Sequence, residues 1–164
     1  MTTVVCDASP LIFLAKLDRL DLVRNLLGER VVVLRCVADD LDSEQADPVE
    51  AARLRRFLES TEVIATDAAG RPSRALSQCD EATLAWAVAH RAAWLLADER
   101  LLRRIAVEEG LRVMGFVGLL VAGARDGVLS TEEARAAVDE AVSRHGCRIS
   151  IALYRRVMET LGGI

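Results

Sequence analysis

Lysine occurs once in this 164-residue chain, at Lys16, and histidine twice, at His90 and His145. The two histidines are isolated from each other and from the four cysteines, Cys6, Cys36, Cys79 and Cys147. No C-x-x-C pair occurs, so neither a zinc site nor a disulfide framework is expected. The cysteines read instead as small buried thiols of a cytosolic protein. No G-x-x-x-x-G-K is present, which removes a Walker-type nucleotide site. No apolar run is long enough to span a bilayer. Met1-Thr2-Thr3-Val4 has no basic n-region, so no signal peptide is expected, no membrane partner is implied, and the expected compartment is the cytoplasm. The net charge of −4 argues against wrapping nucleic acid through bulk charge. It leaves room for an enzyme that holds nucleic acid through a metal and a local patch of arginine.

What is present is the composition of a globular chain, 52% hydrophobic and 28% charged, of a size suited to one domain spanning 1–164. Continuous apolar runs occur at Val4–Cys6, Val31–Leu34, Val63–Ala65, Trp94–Ala97 and Arg112–Met114. Such runs fit parallel strands covered on both faces, and the stretches between them fit crossover helices. The expected fold is a three-layer α/β/α arrangement around a mostly parallel sheet of about five strands. Ser9 followed by Pro10 predicts an N-cap and first helical residue, with apolar residues recurring through Leu27 to a stop at Gly28. Further helices are expected over 36–44, 48–59, 81–91, 116–125, 131 onward and 150–161, those from 130 to 164 forming a C-terminal extension. The helix over 81–91 is almost wholly apolar and reads as buried. The stretch Thr66–Gln78, with Gly70 and Pro72, reads as a loop just before Glu81. Ser130-x-x-Glu133 is a capping box, and those two residues need no functional explanation.

Three carboxylates fall at related places. Asp7 follows the first strand, Asp98 follows the fourth, and Glu81 opens the helix that feeds the fourth. In an open α/β sheet, ligands bind beyond the carboxyl ends of the strands at the switch point of strand order. If the first and fourth strands are neighbours, Asp7 and Asp98 share one crevice. Phosphodiester hydrolysis needs an activated water and a stabilised leaving oxygen, and Mg²⁺ or Mn²⁺ held by a few carboxylates provides both. Taken singly, each acid has a local explanation in turn chemistry, capping or the helix dipole.

Val4-Val5-Cys6-Asp7-Ala8-Ser9-Pro10-Leu11-Ile12 resembles the opening "hhhDxSPLI" of PIN-domain proteins, and within them the DUF3368 branch. Asp80-Glu81-Ala82-Thr83-Leu84-Ala85 resembles "GEAxAIxLA". Leu95-Leu96-Ala97-Asp98-Glu99-Arg100 with Arg103-Arg104-Ile105-Ala106 resembles "lLlDDxxARxxA". Arg112 to Leu120 resembles "vxGTlGlL", and Cys147-Arg148-Ile149-Ser150 with Leu153-Tyr154 resembles "fRhSxxLY". Five motifs in order cover nearly the whole chain. The resemblance implies a metal-dependent endoribonuclease with Asp7, Glu81 and Asp98 as its catalytic and Mg²⁺- or Mn²⁺-binding acids. RNA is then the substrate. A small antitoxin protein is an implied partner, since many family members are toxins of toxin–antitoxin pairs. Homodimers are common in the family, and the apolar helices Leu11–Leu27 and Phe116–Val121 could supply such an interface.

Asp40 occupies the place of an acid often found in the second helix of the family, and a solvated helix face explains it equally well. Asp80 stands where the family has Gly, as an extra ligand or a helix cap. Ser9 is retained, as N-cap or as a contact to Asp7 or a metal-bound water. Phe116 replaces a small hydroxyl residue that in related domains contacts the neighbouring acid. Arg100, Arg103 and Arg104 follow Asp98, and Arg100 and Arg104 share a helix face, as phosphate contacts or as a solvated surface. Two other readings stand beside the nuclease. One is a catalytically degenerate PIN fold acting as a binding module in a regulatory or toxin–antitoxin complex. The other makes Asp7 a phospho-accepting nucleophile. It ranks low, because dehalogenase-like phosphatases want Asp-x-Asp where this chain has Asp7-x-Ser9, and receivers want a late lysine.

Overall fold

The computed structural model describes residues 1–44, 47–66 and 75–162. Gly70 and Pro72, on which the predicted loop before Glu81 rests, lie outside the described residues. Five strands form one sheet: β1 (Thr3–Cys6), β2 (Arg30–Leu34), β3 (Glu62–Ile64), β4 (Trp94–Leu96) and β5 (Arg112–Met114). Their order is β3-β2-β1-β4-β5 and every neighbouring pair is parallel. The nine described helices are α1 (Ala8–Lys16), α2 (Asp21–Leu26), α3 (Arg35–Glu44), α4 (Pro48–Glu59), α5 (Gln78–Ala89), α6 (Arg100–Glu108), α7 (Phe116–Arg125), α8 (Thr131–Arg144) and α9 (Ile151–Gly162). This is the three-layer α/β/α architecture expected of continuous apolar strands: Val4, Val5, Cys6, Val32, Val33, Leu34, Leu95 and Leu96 are all fully buried.

β1 is the central strand. The chain builds outward from it through β2 and β3, then returns to its other side with β4 and β5. Strand order therefore reverses between β1 and β4, which opens a crevice beyond their carboxyl ends. Their register runs Val4 to Trp94, Val5 to Leu95 and Cys6 to Leu96. It continues past the strand end, where the Asp7 N–H donates to the Leu96 carbonyl at 2.9 Å.

The first helix begins earlier and ends sooner than the sequence predicts. Asp7, not Ser9, occupies the N-cap, with extended backbone at φ −85 and ψ 167. Pro10 then falls at the third helical position, which costs nothing because N–H groups of the first turn have no helical acceptor. α1 stops at Lys16. Asp18 adopts φ +55, and the apolar periodicity resumes in α2 after the turn. Arg53 on α4 covers the exposed end of α1, donating to the Ala15 carbonyl at 2.9 Å and pairing with Asp18 at 3.3 Å. Asp47 caps α4 as expected, accepting from Val49 N and Glu50 N. α5 is buried along one face only: Ala82, Leu84, Trp86 and Ala87 are covered, whereas Ala85, Val88 and Ala89 are exposed. The Ser130–Glu133 capping box is formed in both directions.

Helix α7 packs on both α1 and α2, and Leu11, Leu14, Leu22, Phe116, Leu119 and Leu120 are fully buried within the chain. Ile12, Phe13, Val117 and Val121 of the same helices, and Leu17 at the end of α1, stay partly exposed. The cysteine expectation changes. Cys6 and Cys147 are buried free thiols, but Cys36 and Cys79 form a disulfide with their Cα atoms 5.8 Å apart. Helices of a parallel sheet run antiparallel to the strands, so the starts of α3 and α5 meet at the carboxyl edge, although 43 residues separate the two cysteines in sequence. Chain spacing alone carries no sign of that meeting.

A loop of this length predicts that the cross-link stabilises the fold by about 2–4 kcal/mol. Cys36→Ser should therefore melt several degrees below the oxidised parent, and a dithiol reductant should bring the parent down to the variant. Identical melting with and without reductant would show that the bond does not restrain the chain.

Candidate active site

Asp7 is carried to the site by the central strand of the sheet, β1. Its side chain is 8% exposed and makes no capping bond to the helix it precedes. Burial pushes its pKa up to about 6. The adjacent Ala8 N–H draws it partly back, while Asp80, Asp98 and Asp40 each push it further up. Three other carboxylates singled out from the sequence therefore lie within electrostatic reach of Asp7. They come from α3, the start of α5 and the end of β4.

Asp98 is held by a contact that the sequence does not reveal. Phe116 has no side-chain hydroxyl to offer this acid. Its backbone N–H, the first of α7, donates to Asp98 Oδ1 at 2.9 Å instead. The ring turns inward, 1% exposed, and stacks on Phe13 with centroids 5.2 Å apart. Gly115 makes the close approach feasible, because a Cβ there would stand 2.9 Å from Asp98 Oδ1 and collide with the Arg103 guanidinium. Burial raises the pKa of Asp98, offset by the Phe116 N–H and by Arg103. Arg103 is itself fixed by donating to the Ala97 carbonyl at 2.9 Å.

At the start of α5 the Ser77 hydroxyl is the N-cap and accepts from Asp80 N at 3.1 Å. Asp80 is thus not the cap. Burial raises its pKa, the Ser77 contact lowers it, and Glu99, Asp40 and Glu81 raise it again. Glu81 Oε1 is buried and has no hydrogen-bond partner among the described residues. The disulfide anchors this part of the site: Cys79 precedes Asp80, and Cys36 lies one helical turn before Asp40. Ser9 and Arg100 line a cavity that also reaches Asp98, whereas Arg104 is exposed on α6 outside that lining. Two neighbours escape sequence reasoning. Glu99 caps α6 through Leu101 N and Leu102 N and acts on Asp80. Cys147 feels the charge of Asp98, which places the segment after α8 beside the acids. Only the Asp98-Glu99 adjacency hinted at the first, and the second had no signal.

A family model described as a PIN domain, DUF3368, matches residues 3–163. The chain belongs to this PIN-domain family. Comparison with curated proteins gives no match. The family puts the chain in a nuclease-type superfamily. Among the described residues, no three His, Cys, Asp or Glu side chains stand close enough together to hold an ion as placed. The chemistry of the donor set nonetheless fits a hard divalent cation. All candidate donors are carboxylate oxygens, Glu81 Oε1 is an orphan that a cation would satisfy, and a cation would neutralise the like charge that adds to burial in raising the pKa values of Asp7 and Asp80.

The folded pKa of Asp7 exceeds its ordinary value of 3.8, so the folded chain binds more protons than the unfolded one between those values. Stability from this group is full below the lower value and is lost as pH rises through the upper one. The metal-free protein should therefore melt higher near about pH 5 than near about pH 7. Asp7→Asn should flatten that dependence and raise the neutral-pH melting temperature by several degrees, on the order of 2–3 kcal/mol. A variant that melts lower while keeping its fold would mean that the acids do not strain one another.

Proposed function

We propose that this PIN-domain protein is a metal-dependent endoribonuclease that hydrolyses RNA at the acidic crevice beyond β1 and β4. The observation that carries this reading is the burial of Asp7 within reach of the charges of half-buried Asp80 and Asp98 and exposed Asp40, with its pKa raised to about 6. A buried carboxylate held beside like charges calls for a counter-charge in its working state. Asp7 and Asp98 would hold Mg²⁺ or Mn²⁺, and Glu81 would complete the set or orient the attacking water. When bound, such an ion activates water and stabilises the charge of the displacement. The Phe116 N–H keeps one oxygen of Asp98 occupied and so fixes which way its carboxylate faces. Arg103 braces the same acid from α6. Asp40 and Asp80 add negative potential that attracts a cation into the crevice. The family resemblance supports a toxin role with a small antitoxin partner.

A structured RNA incubated with Mn²⁺ should be cut by the parent, and Asp7→Asn should be slower by roughly 100-fold or more. Equal cleavage by the two would sink the assignment. One observation favours a second reading, a binding module that has lost catalysis: no three described ligating groups are gathered for an ion. Calorimetric titration decides between them. Saturable Mn²⁺ binding that Asp7→Asn abolishes supports the nuclease, and no binding up to millimolar metal supports the module.

A further inference from the structure

The Cys36–Cys79 bond joins the first turn of α3 to the first turn of α5. The two helices rest mainly on different neighbours: α3 packs on α1, α4, β2 and β3, and α5 packs on α6 and β1. Each carries acids of the crevice close to its cysteine. Asp40 lies four residues after Cys36, on the same side of α3, and Asp80 and Glu81 directly follow Cys79. Like charge opposes this junction, since beyond burial the charges of Glu99, Asp40 and Glu81 raise the pKa of Asp80. Among the described residues no cation pairs with Asp40, Asp80 or Glu81. Both bonded cysteines are half-buried, which leaves the bond open to a small thiol, whereas Cys6 and Cys147 are buried. The other side of the crevice is fastened without the bond: β1 and β4 pair in the sheet, and Asp98 accepts from the Phe116 N–H.

From this arrangement we infer that the Cys36–Cys79 bond is a reversible redox clamp on the acidic crevice. Oxidised, it holds the acid-bearing starts of α3 and α5 together; reduced, it lets them part while the sheet stays whole. The control of metal binding rests on the nuclease reading above, whereas the release of the two helix starts does not need it. The reductant is a dithiol. One of its thiolates attacks a cysteine Sγ and forms a mixed disulfide, as the other cysteine Sγ leaves with the bonding electron pair and takes up a proton. The second thiolate of the reductant then displaces the remaining protein sulfur, which is protonated in turn, and the reductant departs as its own cyclic disulfide. Two electrons and two protons have passed to the protein, and an oxidised dithiol takes them back. Metal and clamp are then linked. A cation favours gathered acids and so the oxidised chain, and by reciprocity bound metal makes the bond harder to reduce by the same factor.

The test compares two preparations of the full chain. One is treated with an oxidised dithiol and the other with a reduced one, and each is freed of reagent without air. Unfolded in denaturant, the first should show two free thiols, those of Cys6 and Cys147, and the second all four. Native-state amide exchange, well below the melting temperature, should be faster by about tenfold or more over residues 36–41 and 78–82 of the reduced chain, and unchanged in β1 and α7. The Cys36→Ser, Cys79→Ser double variant should show the reduced pattern after either treatment. By calorimetry, Mn²⁺ should bind the reduced chain about tenfold more weakly, within the range usual for coupled sites. Saturating Mn²⁺ should then lower the reduction potential of the bond by the same factor, about 30 mV for two electrons. Four free thiols after oxidation, equal exchange in the two states, or exchange that rises equally in β1 and α7 overturns the proposal. So does Mn²⁺ binding that is equal in both states, and cleavage of RNA by the oxidised chain would then leave the nuclease reading standing. If neither state binds Mn²⁺, the nuclease reading fails and the clamp is decided by exchange alone.

Discussion

Asp7 follows three residues, Val4, Val5 and Cys6, that have no exposure to solvent, so the chain cannot turn its carboxylate out to water without unthreading the central strand. That constraint organises the rest of the site. A buried carboxylate is costly to ionise, and the sheet brings it beside Asp98 because β1 and β4 pair in parallel with their ends level. α3 and α5 add Asp40 and Asp80 because their starts meet at the same edge. The fold supplies the burial energy that keeps these charges together, and the charges in turn make a cation the natural complement of the crevice.

The support behind the acids differs from one to the next. Asp98 is braced by backbone: the Phe116 N–H from α7, admitted by a glycine at 115, with Arg103 alongside. That arrangement gives the acid a hydrogen-bond donor from backbone alone, and it leaves the Phe116 side chain to anchor α7 against Phe13. Asp40 and Asp80 are instead tied through their helices, which the Cys36–Cys79 bond clamps one turn and one residue away. Glu81 is the least provided for, with one buried oxygen lacking a hydrogen-bond partner among the described residues. The side of the site formed by β1, β4 and α7 is thus built into the core, whereas the side formed by α3 and α5 depends on a covalent clamp.

The strands, the alternation with helices and the placement of Asp7 and Asp98 at strand ends were legible because apolar runs and strand-to-turn transitions are local properties of the chain. The Asp47 cap and the Ser130–Glu133 box were legible for the same reason. The end of α1 was not, because Leu17 and Leu20 continue the apolar period through a turn that Asp18 and Arg53 create in three dimensions. Glu81 was legible as the acid that opens the helix before β4, but it joined the site firmly only through the family's motifs, and Asp40 entered through those motifs alone. The burial of one face of α5 was likewise invisible in a helix whose residues are apolar all round.

The sequence by itself determined a three-layer α/β protein of the PIN family with acids at two strand ends, since hydrophobic periodicity and ordered motifs are written residue by residue. Only the tertiary structure decided which distant groups meet. It joined Cys36 to Cys79, aimed the Phe116 N–H at Asp98, and set Glu99 near Asp80. These are contacts between segments tens of residues apart. Parallel strand pairing and helix packing create them, and no spacing along the chain encodes them.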